Sequence, residues 1–257
     1  MDLGAMLKGK GVLITGASGG LGAHFAQVAA RCGARVVIGA RRKGKLDALA
    51  AELNSLGAAS VLAIDMDVAS EASITAAFDA IDAAGGPVDV VVNNAGIGGD
   101  GAAIDMPTAD FDATIATNLR GVWLTSTEAA RRWRKAEQRG GSIINIASIL
   151  GERVAHMVVP YSATKAAVIQ MTKGLALEWA RYGIRVNAIA PGHIRTDIND
   201  AYFDTQAGQD MIKRVPMRRL GKADELDGAY LLLATDASSW MTGAVIPVDG
   251  GHLVSSL

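Results

Sequence analysis

Short, almost continuous apolar runs recur along this chain, and they constrain its fold more than any other feature. Examples are "GVLITG", "ARVVIGA", "VDVVVNNAG" and "IRVNAIA", and longer stretches with helical apolar spacing, such as "LGAHFAQVAARCG", separate them. A strand that is apolar without alternation is buried on both faces, as in a parallel sheet covered by helices. The pattern therefore predicts an α/β chain with a doubly wound parallel sheet of about seven strands and helices on both faces.

The same alternation predicts the later elements of the chain. Helices are expected over residues 111–138, 162–182 and 224–233, with strands at "GSIINIAS", "IRVNAIA" and "AVIPVDGG". No linker, internal repeat or low-complexity tract interrupts the pattern, so residues 1–257 are predicted to form a single domain. Residues of about 195–220 are irregular and mixed in polarity.

Charge and composition argue against several classes of function. The formal net charge is −1, so neither a nucleic acid nor a membrane is expected as a partner. The single cysteine, Cys32, cannot form an internal disulfide, which favours a reducing compartment and predicts a cytoplasmic protein. The first apolar run leads into a glycine turn and is interpreted as a strand, not a signal peptide. The four histidines show no metal-ligand spacing, so no metal is predicted.

A glycine-rich turn joins the first strand to the first helix. In "ITGASGGLGAHF" the glycines at 16, 20 and 22 would let the backbone turn tightly and approach a pyrophosphate. The helix that follows would then face that charge with free N–H groups. A simple strand-to-helix turn is the structural alternative, but the position on the first strand of a doubly wound sheet favours a dinucleotide site.

The end of the second strand bears on which dinucleotide is bound. Sites for NAD usually place an acidic side chain about 20 residues after the glycine turn, where it binds the ribose 2′-hydroxyl. Here "VVIGARRKGKL" has no acid before Asp47, and Arg41, Arg42 and Lys43 follow the strand. Guanidinium groups suit a 2′-phosphate, so NADP(H) is the preferred cofactor. NAD(H) stays possible if these cations are simply solvated.

Seven motifs in order give the chain a resemblance to the short-chain dehydrogenase/reductase family, from about residue 10 to residue 251. They are "TGASGGLG", Asp67-Val68, "NNAG", Asn118 in "ATNLRG", Ser148 in "INIASILG", "YSATK" and "APGHIRTD". The resemblance implies a single-domain Rossmann fold, with a lid-like segment over the substrate at about residues 195–220. The predicted cofactor-binding residues are Gly16, Ser18, Gly19, Gly20, Leu21, Gly22, Arg41, Arg42, Asp67, Val68, Asn94, Ala95, Gly96, Tyr161, Lys165, Pro191, Gly192, Ile194 and Thr196.

Tyr161 and Lys165 stand at i and i+4, where side chains on one helix face can meet. A free tyrosine has a pKa of about 10, and a nearby cation is expected to lower it. The resemblance implies that Tyr161 is the general acid/base of a ketone/alcohol reaction and that Lys165 contacts the nicotinamide ribose. It also implies that Ser148 binds the reacting oxygen and that Asn118 holds a water in a proton path to Lys165. Taken singly, each of these residues also has an ordinary structural interpretation.

The substrate is less well determined by the sequence. The predicted substrate-lining residues are Leu150, Met157, His193, Tyr202 and Phe203, which suit a ketone of medium size or its alcohol. A 3-oxoacyl thioester or a broad range of ketones is one expectation. An NAD-dependent dehydrogenase of a sugar, a steroid or a hydroxy acid is the alternative, because a fold does not choose among them. A dinucleotide-binding sensor without turnover is an alternative of another class.

The resemblance also implies self-association. Members of this form of the family are commonly homotetramers, with long helices paired across an interface. The mostly uncharged segment "GHLVSSL" could be buried against a neighbouring subunit. The expected assembly is therefore a homotetramer or a homodimer.

Overall fold

Seven parallel strands form one sheet at the centre of the computed structural model, which describes residues 2–137, 140–195 and 203–255. The strand order is β3-β2-β1-β4-β5-β6-β7, so the chain reverses direction across the sheet between β1 and β4. This confirms the predicted doubly wound Rossmann-type fold. The strands are β1 Gly11–Thr15, β2 Arg35–Ala40, β3 Ser60–Asp65, β4 Val90–Asn93, β5 Gly141–Ile146, β6 Ile184–Pro191 and β7 Val245–Val248.

The central strands are buried because helices cover both faces of the sheet. Every residue of β1 and of β4 is buried, whereas β3 and β7 at the two edges are partly exposed. The helices are α1 Gly20–Arg31, α2 Lys43–Ser55, α3 Glu71–Gly85, α4 Thr108–Ile115, α5 Gly121–Lys135, α6 Val159–Trp179, α7 Gln206–Ile212 and α8 Asp227–Ala234.

Successive residues of each strand pack alternately into two hydrophobic cores, one on each face of the sheet. Val12 and Ile14 pack with side chains of α1, α2 and α8 on one face. Leu13 and Val91 pack with α3, α5 and α6 on the other. Two-sided burial is thus the physical reason that the central strands are mostly apolar without alternation.

The long helical region predicted over residues 111–138 begins earlier, at Thr108, and contains a π-helical segment, Ala116–Arg120, between α4 and α5. Asn118 lies inside this segment and is fully buried. A π turn adds one residue to a helical turn and is often found at a functional site.

The boundaries of α6 and α8 also differ from the sequence-based prediction. Helix α8 begins at Asp227 instead of residue 224, after a 3₁₀ turn, Ala223–Leu226. Helix α6 begins at Val159 instead of residue 162, because Pro160 fits the first turn of a helix, where its missing N–H costs nothing. It ends at Trp179, and a short 3₁₀ turn, Ala180–Tyr182, leads into Gly183 in the left-handed conformation. Of the predicted lid, residues 196–202 lie outside the described part of the chain. No helix in the described part is both long and apolar enough to cross a membrane.

Candidate active site

A cavity of about 680 Å³ opens at the carboxyl ends of the central strands, beside the point where the strand order reverses. This is where ligands bind in open α/β sheets. Sixteen of the predicted site residues line it: Gly16, Ser18, Gly19, Gly20, Leu21, Arg41, Arg42, Asp67, Val68, Asn94, Ala95, Gly96, Pro191, Gly192, Ile194 and Leu150. Ser148, Tyr161, Lys165 and His193 line it as well.

The glycine turn is shaped by close contact between two loops. Gly16 has a φ of +66°, and a Cβ on it would lie 2.7 Å from the Cα of Ala95. A Cβ on Gly22 would lie 2.5 Å from the carbonyl oxygen of Gly16, so Gly22 serves packing beneath the turn and does not itself line the cavity. Gly19, by contrast, has open space on its side-chain face, where only Arg42 comes within 4 Å.

Hydrogen bonds between β1 and the segment after β4 brace this turn. The Thr15 hydroxyl accepts from the backbone N–H groups of Asn94 and Ala95, each at 3.1 Å. The Asn94 side-chain amide donates to the Thr15 carbonyl at 3.0 Å. These bonds hold the glycine turn and the "NNAG" segment side by side, and both segments contribute to the cavity wall.

The arginines after β2 face the same cavity. The Arg42 guanidinium donates from Nε and Nη2 to the Ser18 hydroxyl at 3.1 and 2.8 Å. Arg41 and Arg42 are exposed cavity-lining residues, whereas Lys43 forms an ion pair with Asp47 at 2.8 Å on α2. Two of the three consecutive cations are therefore placed to meet a bound anion.

These features test whether a dinucleotide fits. Helix α1 begins at Gly20 without a side-chain cap, so its first N–H groups stay available for a phosphate. The open face of Gly19 leaves room for that phosphate, and the two arginines lie next to it. The residues present fit a dinucleotide that carries a further phosphate.

The acid/base residues lie at the other end of the cavity. Ser148 follows β5, and its hydroxyl accepts from the Leu150 N–H at 3.1 Å. Burial raises the pKa of Tyr161, a hydrogen bond with Ser148 partly offsets that rise, and the Asp100 carboxylate adds to it. The sequence predicted that Lys165 lowers the pKa of Tyr161. That prediction is wrong, because the pKa is raised and Lys165 is not among the groups that shift it. Burial of the phenol is the dominant influence on its charged form.

Lys165 is buried, and its ammonium donates to the Ile146 carbonyl at 2.7 Å. Its Nζ lies 5.4 Å from the centre of the Tyr161 ring, which confirms that the two side chains meet on one helix face. Burial lowers the pKa of Lys165 to about 8. The side chain therefore remains largely charged at pH 7 and loses its proton in mildly alkaline solution.

Asn118 connects three elements of the site without lining the cavity. Its side-chain oxygen accepts from the Ile97 N–H at 2.8 Å, and its amide donates to the Ile97 carbonyl at 2.9 Å. The amide also lies 3.3 Å from the Thr164 hydroxyl on α6. Its side chain thus fixes the segment after β4 against the helix that carries Tyr161. The expected role in a proton path stays a prediction.

The remaining predicted site residues divide into two groups. Thr196 and Tyr202 lie outside the described residues. Phe203 is buried and contacts the edge of the His193 ring, with ring centres 6.2 Å apart, but it does not itself line the cavity. Met157 is 54% exposed and has a φ of +67°. Met157 is not among the residues that line the cavity, and its predicted substrate-lining role stays a prediction.

Several cavity-lining residues were not predicted from the sequence: Ala40, Met66, Ile97, Gly98, Thr117, Ile146, Ala147 and Ile149. Most of them flank the carboxyl end of a strand. Their position next to predicted strand ends is the signal that would have found them, since all parallel strands end at the same edge of the sheet.

The chain matches the family model described as enoyl-(acyl carrier protein) reductase over residues 16–252. An L-rhamnose 1-dehydrogenase (NAD(P)(+)) from Azotobacter vinelandii is 40% identical over 97% of this chain and 99% of its own length. A 3-oxoacyl-[acyl-carrier-protein] reductase from Thermotoga maritima is 38% identical, covering 96% of this chain and 99% of the relative.

A solved structure shares both the fold and much of the sequence. It is a gluconate 5-dehydrogenase from Burkholderia cenocepacia in complex with NADP and tartrate. The two chains superpose with a TM-score of 0.92 and 37% identity, covering 99% of this chain and 100% of the other. Similarity of this extent along the whole length places these proteins in one family.

Proposed function

This chain belongs to the short-chain dehydrogenase/reductase family, and from that premise we propose that it is an NADP(H)-dependent oxidoreductase of ketones and secondary alcohols. The observation that carries the proposal is one continuous cavity. Its one end is lined by the glycine turn, Arg41 and Arg42, and its other end by Ser148 and Tyr161. A dinucleotide held at the first end would bring its reactive ring to the second.

The chain's own residues would hold the cofactor in two places. The free N–H groups at the start of α1 would bind the pyrophosphate, and Arg41 and Arg42 would bind the 2′-phosphate. When bound, NADP(H) supplies or accepts the hydride. The rest of the reaction, which is binding of the substrate and transfer of a proton, falls to the protein.

Proton transfer is assigned to Tyr161. Because burial raises its pKa, the phenol is protonated at neutral pH and can donate to the oxygen of a carbonyl substrate during reduction. The Ser148 hydroxyl, which already bonds Tyr161, would donate to the same oxygen and orient it. In the reverse direction Tyr161, as the phenolate, would take the proton of an alcohol.

The preference for NADP(H) draws support from the arginines and from relatives. The Burkholderia enzyme was solved with NADP, and the Azotobacter relative is named for both NAD and NADP. No acidic side chain precedes Asp47 in the loop after β2, where an NAD site usually has one. NAD(H) remains the alternative cofactor.

Replacing Arg42 by alanine is expected to weaken NADPH binding about 10- to 100-fold, because one charge-assisted contact to the 2′-phosphate is lost. Affinity for NADH should change little, since NADH lacks that phosphate. The measurement is fluorescence titration of both cofactors. Lys43→Ala is the matched control, because Lys43 is the adjacent cation but pairs with Asp47. Equal losses of NADPH and NADH affinity in Arg42→Ala would contradict the assignment.

The substrate is proposed as a small ketone/alcohol pair. Relatives of the chain act on sugars and sugar acids by name, and one is a 3-oxoacyl thioester reductase. Both the thioester and the hydroxylated class are therefore candidates. A dinucleotide sensor without turnover is disfavoured, because it has no need of a buried Tyr161 next to Ser148 and Lys165.

Assembly and compartment are proposed from exposed aromatic side chains and from the cysteine content. A homotetramer or homodimer agrees with the exposure of Phe111 and Trp123, at 42% and 46%, on α4 and α5. A sedimentation profile of a monomer would contradict it. A cytoplasmic location is favoured because Cys32 is the sole cysteine of the sequence.

A further inference from the structure

We propose that His193 binds a hydroxyl group of the substrate away from the reacting carbon, and that the C-terminal turn, residues 249–255, positions its ring. The substrate class is then a polyhydroxylated one: a sugar, a polyol or a sugar acid. This inference rests on the proposed function, because it assigns the specificity of the same cavity.

His193 has the position and the free atoms for this role. It follows Gly192 after β6 and lines the cavity together with Ser148 and Tyr161. Within the described part of the chain, neither of its ring nitrogens has a hydrogen-bond partner, although its backbone carbonyl accepts from Gly221. The ring is partly exposed to the cavity, and an imidazole whose nitrogens lack protein partners offers them to a bound ligand.

Aromatic rings on two sides fix the orientation of His193. Phe203 meets it edge-on, with ring centres 6.2 Å apart, and His252 lies at 5.2 Å with a tilt of 42°. The Nδ1 atom of His252 is buried and has no partner among the described residues. The His193 imidazole is therefore a polar group beside an otherwise largely aliphatic part of the cavity, which includes Ile149 and Leu150, and His252 packs against it without lining the cavity.

The C-terminal turn is built to hold His252 in place. The Asp249 carboxylate accepts from the N–H groups of Gly251 and Leu253 at 2.8 and 2.5 Å. Arg153 donates to the His252 carbonyl and to the Ser255 hydroxyl, the latter at 2.8 Å. Arg153 lies five residues after Ser148, so the turn is bound to the loop that carries the catalytic serine. A shift of the turn would therefore move His252, which packs against His193, and Arg153, which belongs to the loop that carries Ser148.

The protonation state agrees with recognition of hydroxyl groups. Burial, with a contribution from His252, lowers the pKa of His193 to about 4, so the ring is neutral at pH 7. The pKa of His252 is lowered too, by burial and by Arg153. A neutral imidazole has one donor and one acceptor, which together match a hydroxyl group. An apolar ketone would leave both atoms unpaired, so the site discriminates against it.

The test compares hydroxylated alcohols with a hydroxyl-poor reference. L-Rhamnose, D-gluconate and D-threitol are oxidised with NADP⁺ in parallel with cyclohexanol, and the ratio of their kcat/KM values is measured. In the wild type, we expect kcat/KM for at least one of the three hydroxylated substrates to exceed kcat/KM for cyclohexanol. His193→Phe, which keeps an aromatic ring, should reduce that ratio about tenfold, mainly through KM. His193→Gln should restore part of it, and His252→Phe should lower it less.

Controls separate this inference from the proposed function. His156→Phe changes an exposed histidine and should leave the ratio at its wild-type value. NADPH binding and thermal melting of each variant establish that it is folded. If cyclohexanol is oxidised but His193→Phe leaves the ratio unchanged, or if the wild type favours cyclohexanol, the inference is wrong and the proposed function stands. If NADPH binds but no alcohol or ketone turns over, the proposed function fails, and the inference fails with it.

Discussion

Tyr161→Phe is expected to reduce turnover by about two to four powers of ten, the usual contribution of a positioned general acid. The substitution removes only the phenolic hydroxyl, which bonds Ser148 and would donate to the substrate oxygen. The aromatic ring of Tyr161 is kept. The measurement is kcat for ketone reduction, followed through NADPH oxidation. NADPH affinity should stay close to that of the wild type, since the phosphate contacts lie at the other end of the cavity.

Tyr182→Phe is the matched control for this prediction. Tyr182 is another tyrosine, in the 3₁₀ turn after α6, and its hydroxyl bonds only Arg181 among the described residues. Its loss should leave kcat unchanged. Wild-type turnover in Tyr161→Phe, with Tyr182→Phe equally active, would show that another group transfers the proton. Ser148, which has the other hydroxyl at that end of the cavity, would then be examined first.

Gly16→Ala is expected to damage both stability and cofactor binding. The left-handed φ of Gly16 costs an L-residue roughly 1–2 kcal/mol. Its Cβ would also lie 2.7 Å from the Ala95 backbone, and such overpacking typically costs about 1–3 kcal/mol. At about 2–4 °C for each kcal/mol, Tm should fall by about 5–15 °C. Since the displaced segments line the pyrophosphate end, NADPH affinity should fall at least about tenfold.

Gly44→Ala makes the same chemical change where nothing opposes it. Gly44 lies in the first turn of α2, and no atom of another described segment comes within 4 Å of a Cβ placed there. The substitution should stabilise the protein by about 0.5–1 kcal/mol, because glycine is unfavourable in a helix. NADPH binding should be unaffected. Calorimetry and cofactor titration of the pair measure both effects. A Gly16→Ala variant as stable as Gly44→Ala would show that the turn relaxes without cost.

The sequence allowed the sheet and most of the cavity to be predicted because their signals are local. Continuous apolar runs mark strands buried on both faces, and β1 and β4 are buried at every position. The glycine turn and the cations after β2 are contiguous in the chain, and the strand order brings them to one edge. Tyr161 and Lys165 are one helical turn apart, so their meeting follows from helix geometry.

Features that depend on packing between distant segments could not be predicted in this way. The approach of His193 and His252 joins positions 59 residues apart through a turn whose conformation is set by Asp249 and Arg153. The raised pKa of Tyr161 depends on how deeply the phenol is buried, and the depth of burial cannot be predicted from the sequence. The left-handed backbone of Met157 could not be predicted either, because it is unusual for a non-glycine residue.

The bonds from Thr15 to Asn94 and Ala95 also bear on the order in which the protein folds. They span 79 and 80 residues of sequence, so the glycine turn gains its bracing only after β4 has joined β1. Closing a loop of that length precedes any gain from the contacts, and such non-local pairing is slow. During synthesis from the N-terminus, β1, β2 and β3 can pair before residue 94 is made, yet the pocket for the pyrophosphate is still incomplete. Cofactor binding therefore stabilises the sheet only after β4 has joined β1, and it does not guide the earlier pairing of β1, β2 and β3.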